Sequence, residues 1–460
     1  MPTAPFVITI VGGGFAGTAL AIHLARLGNE NIVIHLIEPR SEPGPGLAYT
    51  ARRPEYLLNV RPAALSLYPD QPLHFAQWLR AQPEAAGGVP DFAPRATYGR
   101  YLAQELAAVR AAPTRAGHGV QWHPATAETA TARPQGGYRV GLSTGTALET
   151  DALVLALGNF APPPPAGPGP YLAHPGYHAD PWATGNLRRI GPDESVLLIG
   201  SGLTAVDVLL ALRQDGHRGP VTVVSRHGRW PAAHGPAGAN YPNFYPELAT
   251  ETTVAGVLRV FKRHARAAAA QGTGWRPVLD ALRPDLGRIW AAWPLAEQRR
   301  FLRHLSGLWA VARHRSPPEN AAAIDGLMAS GAVQLHLGAV REIVPAGPDL
   351  RVRIRACAEA ASSWRTARHV VACTGPLLDY GRINAPLVAS LRTAGALVPD
   401  ALGLGIRTDA HGALRNAQGQ PAPDLFTLGA SRRPAYFEST AVPELRQQAA
   451  ALAAELLRRA

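Results

Sequence analysis

The feature that most constrains this chain is a glycine-rich turn that occurs twice, each time after a β-rich run and before a helical pattern. The first copy, in VITIVGGGFAGTALAIHLARLG, has the spacing G-x-G-x-x-G with Gly12, Gly14 and Gly17. The second, in VLLIGSGLTAVDVLLAL, has the variant G-x-G-x-x-A with Gly200, Gly202 and Ala205. In such units the first glycine permits a tight turn, the second lets a pyrophosphate approach the backbone, and the third position lets helix and strand pack closely. Both stretches therefore predict a dinucleotide site.

The first copy continues into a second strand that ends on an acid. The run IVIHLIE ends at Glu38, about 20 residues beyond Gly17. An acid in this position accepts hydrogen bonds from a ribose 2′-hydroxyl and repels a 2′-phosphate, which favours FAD or NAD over NADP. The helix expected from Thr18 to Leu27 directs its N-terminal N–H groups at the phosphates. The predicted contacts of this site are Gly12, Gly14, Phe15, Ala16, Gly17 and Glu38.

The second copy lacks that acid. Beyond the strand Val196–Ile199 and its helix, the next strand, VTVV, leads into Ser225 and Arg226. A hydroxyl and a guanidinium suit a 2′-phosphate, so this copy favours NADPH over NADH. The alternative is that Arg226 is an ordinary surface arginine. The predicted contacts of the second site are Gly200, Gly202, Leu203, Thr204, Ala205, Ser225 and Arg226.

Composition places the chain among globular proteins. Hydrophobic residues make up 47% and charged residues 17% of its 460 residues. The formal charge of +12 comes from scattered arginines without a long basic run, which argues against a nucleic-acid partner. The N-terminus lacks the basic segment of a signal peptide, and no uninterrupted apolar run reaches the length of a membrane span. We expect a cytoplasmic protein that does not associate with membranes.

Cysteine and histidine spacing exclude two further classes of site. Cys357 and Cys373 do not form a C-x-x-C pair, which argues against a dithiol relay and a thiolate metal cage. His174 and His178 have metal-pair spacing, but no third ligand with suitable spacing accompanies them. The sequence therefore predicts no metal site.

Several further segments resemble those of flavoproteins with two dinucleotide-binding domains, a class that holds flavin-containing, Baeyer–Villiger and amine N-hydroxylating monooxygenases. More narrowly, the chain resembles the FAD/NAD(P)-binding protein family. The segments are DALVLALGNFAPPPP around Gly158, HVVACTGP at Gly375, and LFTLGA to FESTAVPELRQQAAALA. The resemblance implies that Gly158, Gly429 and the backbone from Glu438 to Ala441, including Ser439 and Thr440, face the flavin. A helix N-terminus there would stabilise the anionic side of the reduced flavin ring.

The resemblance also implies the fold and its domains. We expect an α/β protein with two Rossmann-like dinucleotide-binding domains, one for FAD and one for NADPH, and a helical insertion. The first part of the FAD domain would span residues 1–165 and its C-terminal part 376–460. The NADPH domain would span 185–375, with the insertion at about 230–330.

Asn59 is the candidate catalytic residue and is also expected to contact the cofactor. The stretches PGPGLAYT, YLLNVRPAALSLYPDQPLHFAQWL and FAPRATYGRYL resemble the narrower family, in which the region of Asn59 approaches the flavin edge. There its amide would hydrogen-bond a peroxyflavin or a substrate. The alternative is a turn-forming asparagine, because N-V-R-P also suits the entry to a loop.

The insertion contains a helical, tryptophan-rich stretch. Phe301, Leu305 and Trp309 recur at helical spacing, and Trp275, Trp290 and Trp293 precede them. One hypothesis, which we favour, is a small helical subdomain with a tryptophan core. The other is a lid over the junction of nicotinamide and flavin, with Arg313, His314 and Arg315 contacting an anionic substrate or NADPH.

Two sites of opposite ribose chemistry imply a bound flavin and a nicotinamide that reduces it. We expect an NADPH-dependent FAD monooxygenase that acts through a C4a-hydroperoxyflavin and O₂ on a small molecule, by N-hydroxylation or a similar oxygenation. One alternative is an NADPH-dependent flavin reductase or dehydrogenase that passes electrons to a partner or quinone. The other is a non-catalytic flavoprotein that senses redox state or scaffolds a complex.

Overall fold

The strands of the described residues form two mainly parallel sheets, the first with an antiparallel edge strand, and two small antiparallel sheets. The computed structural model describes residues 4–28, 31–50, 53–83, 88–112, 119–183, 185–356 and 362–460, so Cys357 lies outside the described part. Its strands are β1 (Phe6–Val11), β2 (Ile32–Ile37), β3 (Gly119–His123), β4 (Ala127–Ala132), β5 (Tyr138–Leu142), β6 (Ala147–Thr150), β7 (Ala152–Leu155), β8 (Tyr177–His178), β9 (Val196–Ile199), β10 (Val221–Ser225), β11 (Val333–Leu337), β12 (Ala339–Ala346), β13 (Asp349–Arg355), β14 (Ser362–Ala367), β15 (His369–Ala372), β16 (Ala413–Arg415) and β17 (Pro421–Thr427).

The helices cover the faces of the parallel sheets and build the insertion. They are α1 (Phe15–Leu27), α2 (Gly46–Tyr49), α3 (His74–Arg80), α4 (Arg95–Ala111), α5 (Leu203–Gln214), α6 (Val254–Ala270), α7 (Arg276–Ala281), α8 (Leu286–Ala292), α9 (Leu295–His304), α10 (Ser306–Arg313), α11 (Pro318–Ala329), α12 (Pro386–Thr393), α13 (Arg433–Tyr436) and α14 (Val442–Arg459).

The two parallel sheets repeat one topology. The first has the order β16-β17-β7-β1-β2-β3, and the second has the order β11-β10-β9-β15-β8. Within each, the strand before the glycine turn is hydrogen-bonded to the next strand on one side and to a much later strand on the other. Such a reversal of strand order opens a crevice at the carboxyl ends of the strands, where α/β proteins bind ligands.

The small sheets occupy equivalent places in the two units. The antiparallel sheet β4–β6 lies between β3 and β7 in the chain, and the sheet β12–β14 lies between β11 and β15. Strands β1, β7, β9 and β15 are buried almost throughout, as expected for parallel strands covered on both faces. The predicted α/β fold with two Rossmann-like units and a helical insertion is confirmed.

The C-terminal segment completes the first unit. Strand β17 pairs in parallel with β7, and the long helix α14 packs along α1. Gly429 and the start of α14 therefore lie beside the first glycine turn, whereas the end of α14 reaches Gly28 at the opposite end of α1. The predicted domain boundaries at 165, 185 and 375 stay predictions.

A buried ion pair joins the two units. Arg95, at the start of α4, donates to the Asp207 carboxylate on α5 at 2.9 Å, and Asp207 is 3% exposed. Burial raises the pKa of Asp207 to about 6, although the nearby Arg95 charge opposes this. Trp182 packs against Tyr56 with ring centroids 5.2 Å apart and also lies beneath the Arg95 guanidinium. The segment around Tyr56 thus belongs to the core of the second unit.

The insertion consists of α6–α10, between β10 and α11. The sequence pattern predicts one helical face for Phe301, Leu305 and Trp309, but the helix breaks at Leu305, whose φ is −120°. The pattern failed locally because the backbone turns between α9 and α10. The three side chains still line one pocket. Among the described residues, no helix combines the length and the apolar character needed to cross a membrane.

A chain of hydrogen-bonded polar side chains, with two buried histidine rings at its centre, lies at the end of the second sheet that is opposite the glycine turn. His178 Nδ1 lies 2.8 Å from Asn186 Oδ1, and His178 Nε2 lies 3.0 Å from His369 Nδ1. His369 Nε2 lies 2.7 Å from the Glu194 carboxylate. His178 is 1% exposed, and burial lowers its pKa to about 4. The folded protein therefore holds this ring neutral at pH values where an unfolded chain would protonate it.

We expect this ring to make the protein sensitive to mild acid. Below pH 6.5 His178 takes up a proton in the unfolded state but not in the folded state. The contribution of His178 to the free energy of unfolding therefore decreases by about 2 kcal/mol as the pH is lowered from 7.5 to 5. The His178→Gln variant is less stable at pH 7.5 because it loses ring contacts. Between pH 7.5 and 5, however, its free energy of unfolding decreases by about 2 kcal/mol less than that of the unmodified protein. Urea unfolding at both pH values measures the difference, and equal losses in the two proteins would contradict it.

Candidate dinucleotide and redox site

The first glycine turn is shaped by the strand beside it. Gly12 has φ +107°, and a Cβ there would overlap the carbonyl oxygen of Ala156, the residue after β7. A Cβ at Gly17 would overlap the carbonyl oxygen of Gly12. Gly14 is the N-cap of α1, and a Cβ there would make an ordinary van der Waals contact with Gly46 Cα at 3.5 Å. The turn thus leaves the helix N-terminus without a side-chain cap and with room for a ligand phosphate.

Glu38 lies beside this turn and is 2% exposed. Its Oε2 accepts from the Gly13 N–H at 2.8 Å, and its Oε1 accepts from the Arg40 backbone and guanidinium. The carboxylate therefore fixes the glycine turn as well as standing where a ribose is expected. The sequence reasoning assigned only the ribose contact, because a backbone partner leaves no pattern in the sequence. The ribose contact stays a prediction.

The C-terminal segment reaches the same place. Gly429 has φ +89°, and a Cβ there would lie 3.6 Å from Ala16 Cβ on α1. The Gly429 N–H donates to Gln448 Oε1 at 3.1 Å, and its carbonyl accepts from the Ser439 hydroxyl at 2.6 Å. Gln448 Nε2 in turn donates to Ser439 Oγ. Sequence reasoning missed Gln448, which is buried and ties Gly429 to the start of the last helix.

Glu438 and Thr440 differ in their surroundings. The Glu438 side chain is turned towards the insertion: its Oε1 accepts from Trp309 Nε1 at 2.7 Å, and its Oε2 lies 3.9 Å from Arg313 Nε. Thr440 is exposed. Arg313 also approaches Glu444, whereas Arg315 forms two hydrogen bonds with Asp280. Arg315 is therefore held within the insertion, and Arg313 and Glu438 connect the insertion to the segment expected at the flavin.

The second glycine turn repeats the geometry of the first. Gly200 has φ +112°, and a Cβ there would overlap the carbonyl oxygen of Cys373, the residue after β15. Gly202 is the N-cap of α5, and nothing lies within 4 Å of the position of an added Cβ. Ala205 is fully buried, which matches the close packing expected at the third position. Cys373 is itself buried, and burial raises the pKa of its thiol.

The end of β10 is tied to this turn. Ser225 Oγ lies 2.8 Å from Ser201 Oγ and accepts from the Gly228 N–H at 3.3 Å. The Ser201 hydroxyl also donates to the carbonyl of Arg229 at 2.7 Å. Arg226 and Arg229 are both exposed. The structure thus places Ser225 and Arg226 beside the turn, and it adds Ser201 and Arg229, which the sequence reasoning missed.

Asn59 lies where the first unit meets the insertion. Its backbone carbonyl accepts from His234 Nε2 at 3.0 Å, and the neighbouring Arg61 donates to the Gly235 carbonyl at 2.8 Å. No hydrogen bond joins the Asn59 side-chain amide to another described residue. Burial lowers the pKa of His234 to about 4, so the ring is neutral at physiological pH. Sequence reasoning missed His234, whose partner is a backbone atom 175 residues away.

The predicted residues therefore fall into two clusters, one at each glycine turn, and Asn59 belongs to neither. The first cluster holds Gly12, Gly14, Phe15, Ala16, Gly17, Glu38, Gly429 and Ser439, with Gly158 two residues beyond Ala156. The second holds Gly200, Gly202, Leu203, Thr204, Ala205, Ser225 and Arg226. Asn59 lies at the contact between the first unit and His234. Across the described ranges, no group of three histidine, cysteine or acidic side chains is arranged to hold a metal ion.

Comparison with known proteins agrees with this fold. The profile of a family described as FAD-NAD(P)-binding matches residues 9–160. No curated protein sequence matches the chain.

Solved structures with this fold cover nearly the whole chain. The ornithine N-hydroxylase of Kutzneria sp. 744, described with reduced FAD, NADP⁺ and L-ornithine, is 16% identical, with a TM-score of 0.65 over 99% of this chain and 100% of that one. The cadaverine monooxygenase of Erwinia amylovora, bound to FAD, is 13% identical, with a TM-score of 0.65 over 99% and 95%. The L-lysine 6-monooxygenase of Pseudomonas syringae is 17% identical, with a TM-score of 0.66 over 98% and 99%. The chain therefore has the fold of the flavoproteins that the sequence resembles.

The open space at Gly202 provides a clean test of the second site. Because the Gly202→Ala side chain meets no protein atom, the variant should keep its fold and its bound flavin, while the methyl group excludes a pyrophosphate from the turn. We expect the NADPH concentration for half-maximal flavin reduction to rise at least tenfold. Gly326→Ala, at another open glycine on α11, is the matched control. Equal behaviour of the two variants would exclude the turn as the nucleotide site.

Proposed function

We propose that this chain is an FAD- and NADPH-dependent monooxygenase that hydroxylates the nitrogen of a small amine. In this reaction R–NH₂, O₂, NADPH and H⁺ give R–NHOH, H₂O and NADP⁺. The observation that carries the proposal is the repeated unit of strand, glycine turn, helix and strand, whose second strand leads to Glu38 in one unit and to Ser225 and Arg226 in the other. One turn thus suits an unphosphorylated ribose and the other a 2′-phosphate.

The first unit fits FAD. In the proposal, residues 1–165 and 376–460 form its domain, and the pyrophosphate lies on the N-terminus of α1. A Cβ at Gly12 or Gly17 would overlap a backbone carbonyl oxygen, whereas a Cβ at Gly14 would make only an ordinary contact with Gly46. The ring lies by Gly158, Gly429 and the segment from Glu438 to Thr440, before the start of α14.

The second unit, residues 185–375, fits NADPH. Gly202 lies open at the start of α5, Ser225 ends β10, and Arg226 and Arg229 follow it in the chain. Guanidinium groups bind phosphate through paired hydrogen bonds, so Arg226 and Arg229 are suited to the 2′-phosphate.

When bound, FAD supplies the redox chemistry by taking two electrons from NADPH and passing them to O₂. The protein has to hold the two cofactors together, exclude water and orient the substrate. Asn59 lies at the contact between the first unit and His234, which hydrogen-bonds its backbone carbonyl. In the proposal its side-chain amide contacts a ligand. The helix dipole at the start of α14 stabilises negative charge nearby.

The solved structures support the oxygenase reading over a reductase or a sensor. Three proteins with this fold are named as monooxygenases or N-hydroxylases of ornithine, cadaverine and lysine, and two are described with FAD. We propose a small-molecule substrate, O₂ as the second substrate, no nucleic-acid partner, and a cytoplasmic location where NADPH is available.

Coupling of oxygen use to product tests the reaction. The purified flavoprotein is supplied with NADPH and a panel of primary amines, and NADPH loss, hydrogen peroxide and hydroxylamine product are measured together. We expect at least one amine to give hydroxylamine in proportion to NADPH consumed, with peroxide suppressed. Peroxide as the sole product across the panel would contradict the oxygenase and leave a reductase, and flavin that NADPH does not reduce would leave a sensor.

Arg226 separates NADPH from NADH. Removing its guanidinium takes away a charged partner of the 2′-phosphate, a group that NADH lacks, with a loss of about 1.5–3 kcal/mol. We expect Arg226→Gln to raise the KM for NADPH roughly tenfold or more and to leave the KM for NADH unchanged. Arg218→Gln, an exposed arginine paired with Asp193 elsewhere on this unit, is the control. A parallel rise for both nucleotides would assign Arg226 a structural role.

A further inference from the structure

The helices of the insertion enclose a pocket of about 300 Å³. Its wall is formed by apolar side chains from α6 to α10 and by one residue from the C-terminal segment. Aromatic members of the wall are Phe261, Trp275, Trp290, Trp293, Phe301, Trp309 and Phe437. No charged side chain lines it among the described residues.

This space is too large for an ordinary packing gap. Protein cores are packed like organic crystals, and voids larger than a water molecule are few. Small-molecule sites begin at about 300 Å³ and are lined mostly by apolar and aromatic groups. Trp290 and Trp293 are buried in the hydrophobic core of the insertion, as the favoured hypothesis expects, and they also line the pocket.

The pocket touches the candidate redox site at Phe437. Among the described residues, Phe437 is the one non-glycine residue with a positive φ, +58°, in a backbone region that L-residues avoid. Its ring packs against Trp290, with centroids 4.9 Å apart, and it directly precedes Glu438, the first residue of the segment assigned to the flavin. Strained backbone of this kind concentrates at functional sites.

Behind this wall lies an acceptor. Trp309, which lines the pocket, donates to Glu438 Oε1, while Glu438 Oε2 is buried without a hydrogen-bond donor in the described part of the chain. The nearby basic side chains place Arg313 Nε at 3.9 Å and His314 Nε2 at 3.8 Å, both beyond hydrogen-bond distance, and burial lowers the pKa of His314. A buried carboxylate oxygen without a hydrogen bond is destabilising, and an N–H donor from a ligand would offset that cost.

We propose that this pocket binds the apolar body of the substrate, an arylalkyl or alkyl primary amine whose nitrogen lies at the Phe437–Glu438 end. The amine part rests on the proposed function, and the apolar part rests on the pocket alone. The wall offers no carboxylate or amide to a second polar end, so diamines and amino acids are poor occupants.

The test uses the flavin-bound protein and two cavity-filling variants. Binding of 2-phenylethylamine, hexylamine and 1,5-diaminopentane is followed by tryptophan fluorescence, since four tryptophans line the pocket. Ala312→Phe fills the pocket from α10, and Ala310→Phe places the same ring on the exposed face of that helix. Leu258→Trp fills the pocket from α6 and replaces Ala312→Phe if that variant does not fold. Flavin content and thermal unfolding establish that each variant is folded.

We expect the two apolar amines to bind at least tenfold more tightly than 1,5-diaminopentane. Filling the pocket should weaken them at least tenfold, and Ala310→Phe should change their affinity less than twofold. Equal affinity for all three amines, or equal effects of the two phenylalanine variants, would overturn the pocket assignment. Hydroxylamine formed from diamines but not from apolar amines would overturn it while upholding the monooxygenase. Tight, pocket-dependent binding with peroxide as the only product would uphold the pocket and overturn the proposed function.

Discussion

Both candidate nucleotide sites depend on a glycine that lies directly against the carbonyl of the residue after a neighbouring strand. Gly12 meets Ala156 in the first unit, and Gly200 meets Cys373 in the second. Neither position has room for a side chain, and both have positive φ. The close approach aims each following helix at the crevice where the strand order reverses, so that its free N–H groups and dipole meet a ligand. Without it, neither Glu38 nor Ser225 would stand beside a phosphate-binding turn.

The proposed function adds a second requirement, that the two candidate sites keep a fixed relation, because two electrons would have to pass between the cofactors. Arg95 and Asp207 form a buried ion pair across the units, and removing one partner of such a pair leaves an uncompensated buried charge. His234 holds the Asn59 carbonyl, and Trp309 holds Glu438. These two contacts attach His234 and the insertion to the two segments that are expected at the flavin, those of Asn59 and Glu438. The same contacts place the apolar pocket next to that site.

The fold could be predicted from the sequence because it is repeated. Strand, glycine turn, helix and second strand leave a local pattern, and β9 has the bounds that the sequence indicates. The details that sequence reasoning missed are contacts between distant or backbone atoms: Gln448 on Gly429, His234 on Asn59, and Gly13 on Glu38. The helix break at Leu305 and the pocket arise from packing between helices, which periodicity along one helix does not record. The roles of the predicted site residues stay predictions.

The central claim is that the two turns hold different dinucleotides at the same time. Calorimetric titration of the flavin-bound protein with NADP⁺ and with NAD⁺ tests it most directly, with the flavin content measured before and after. We expect one FAD per chain that stays bound, one NADP⁺ per chain, and binding of NAD⁺ at least tenfold weaker. Release of FAD by NADP⁺, or equal affinity for the two nucleotides, would contradict the claim.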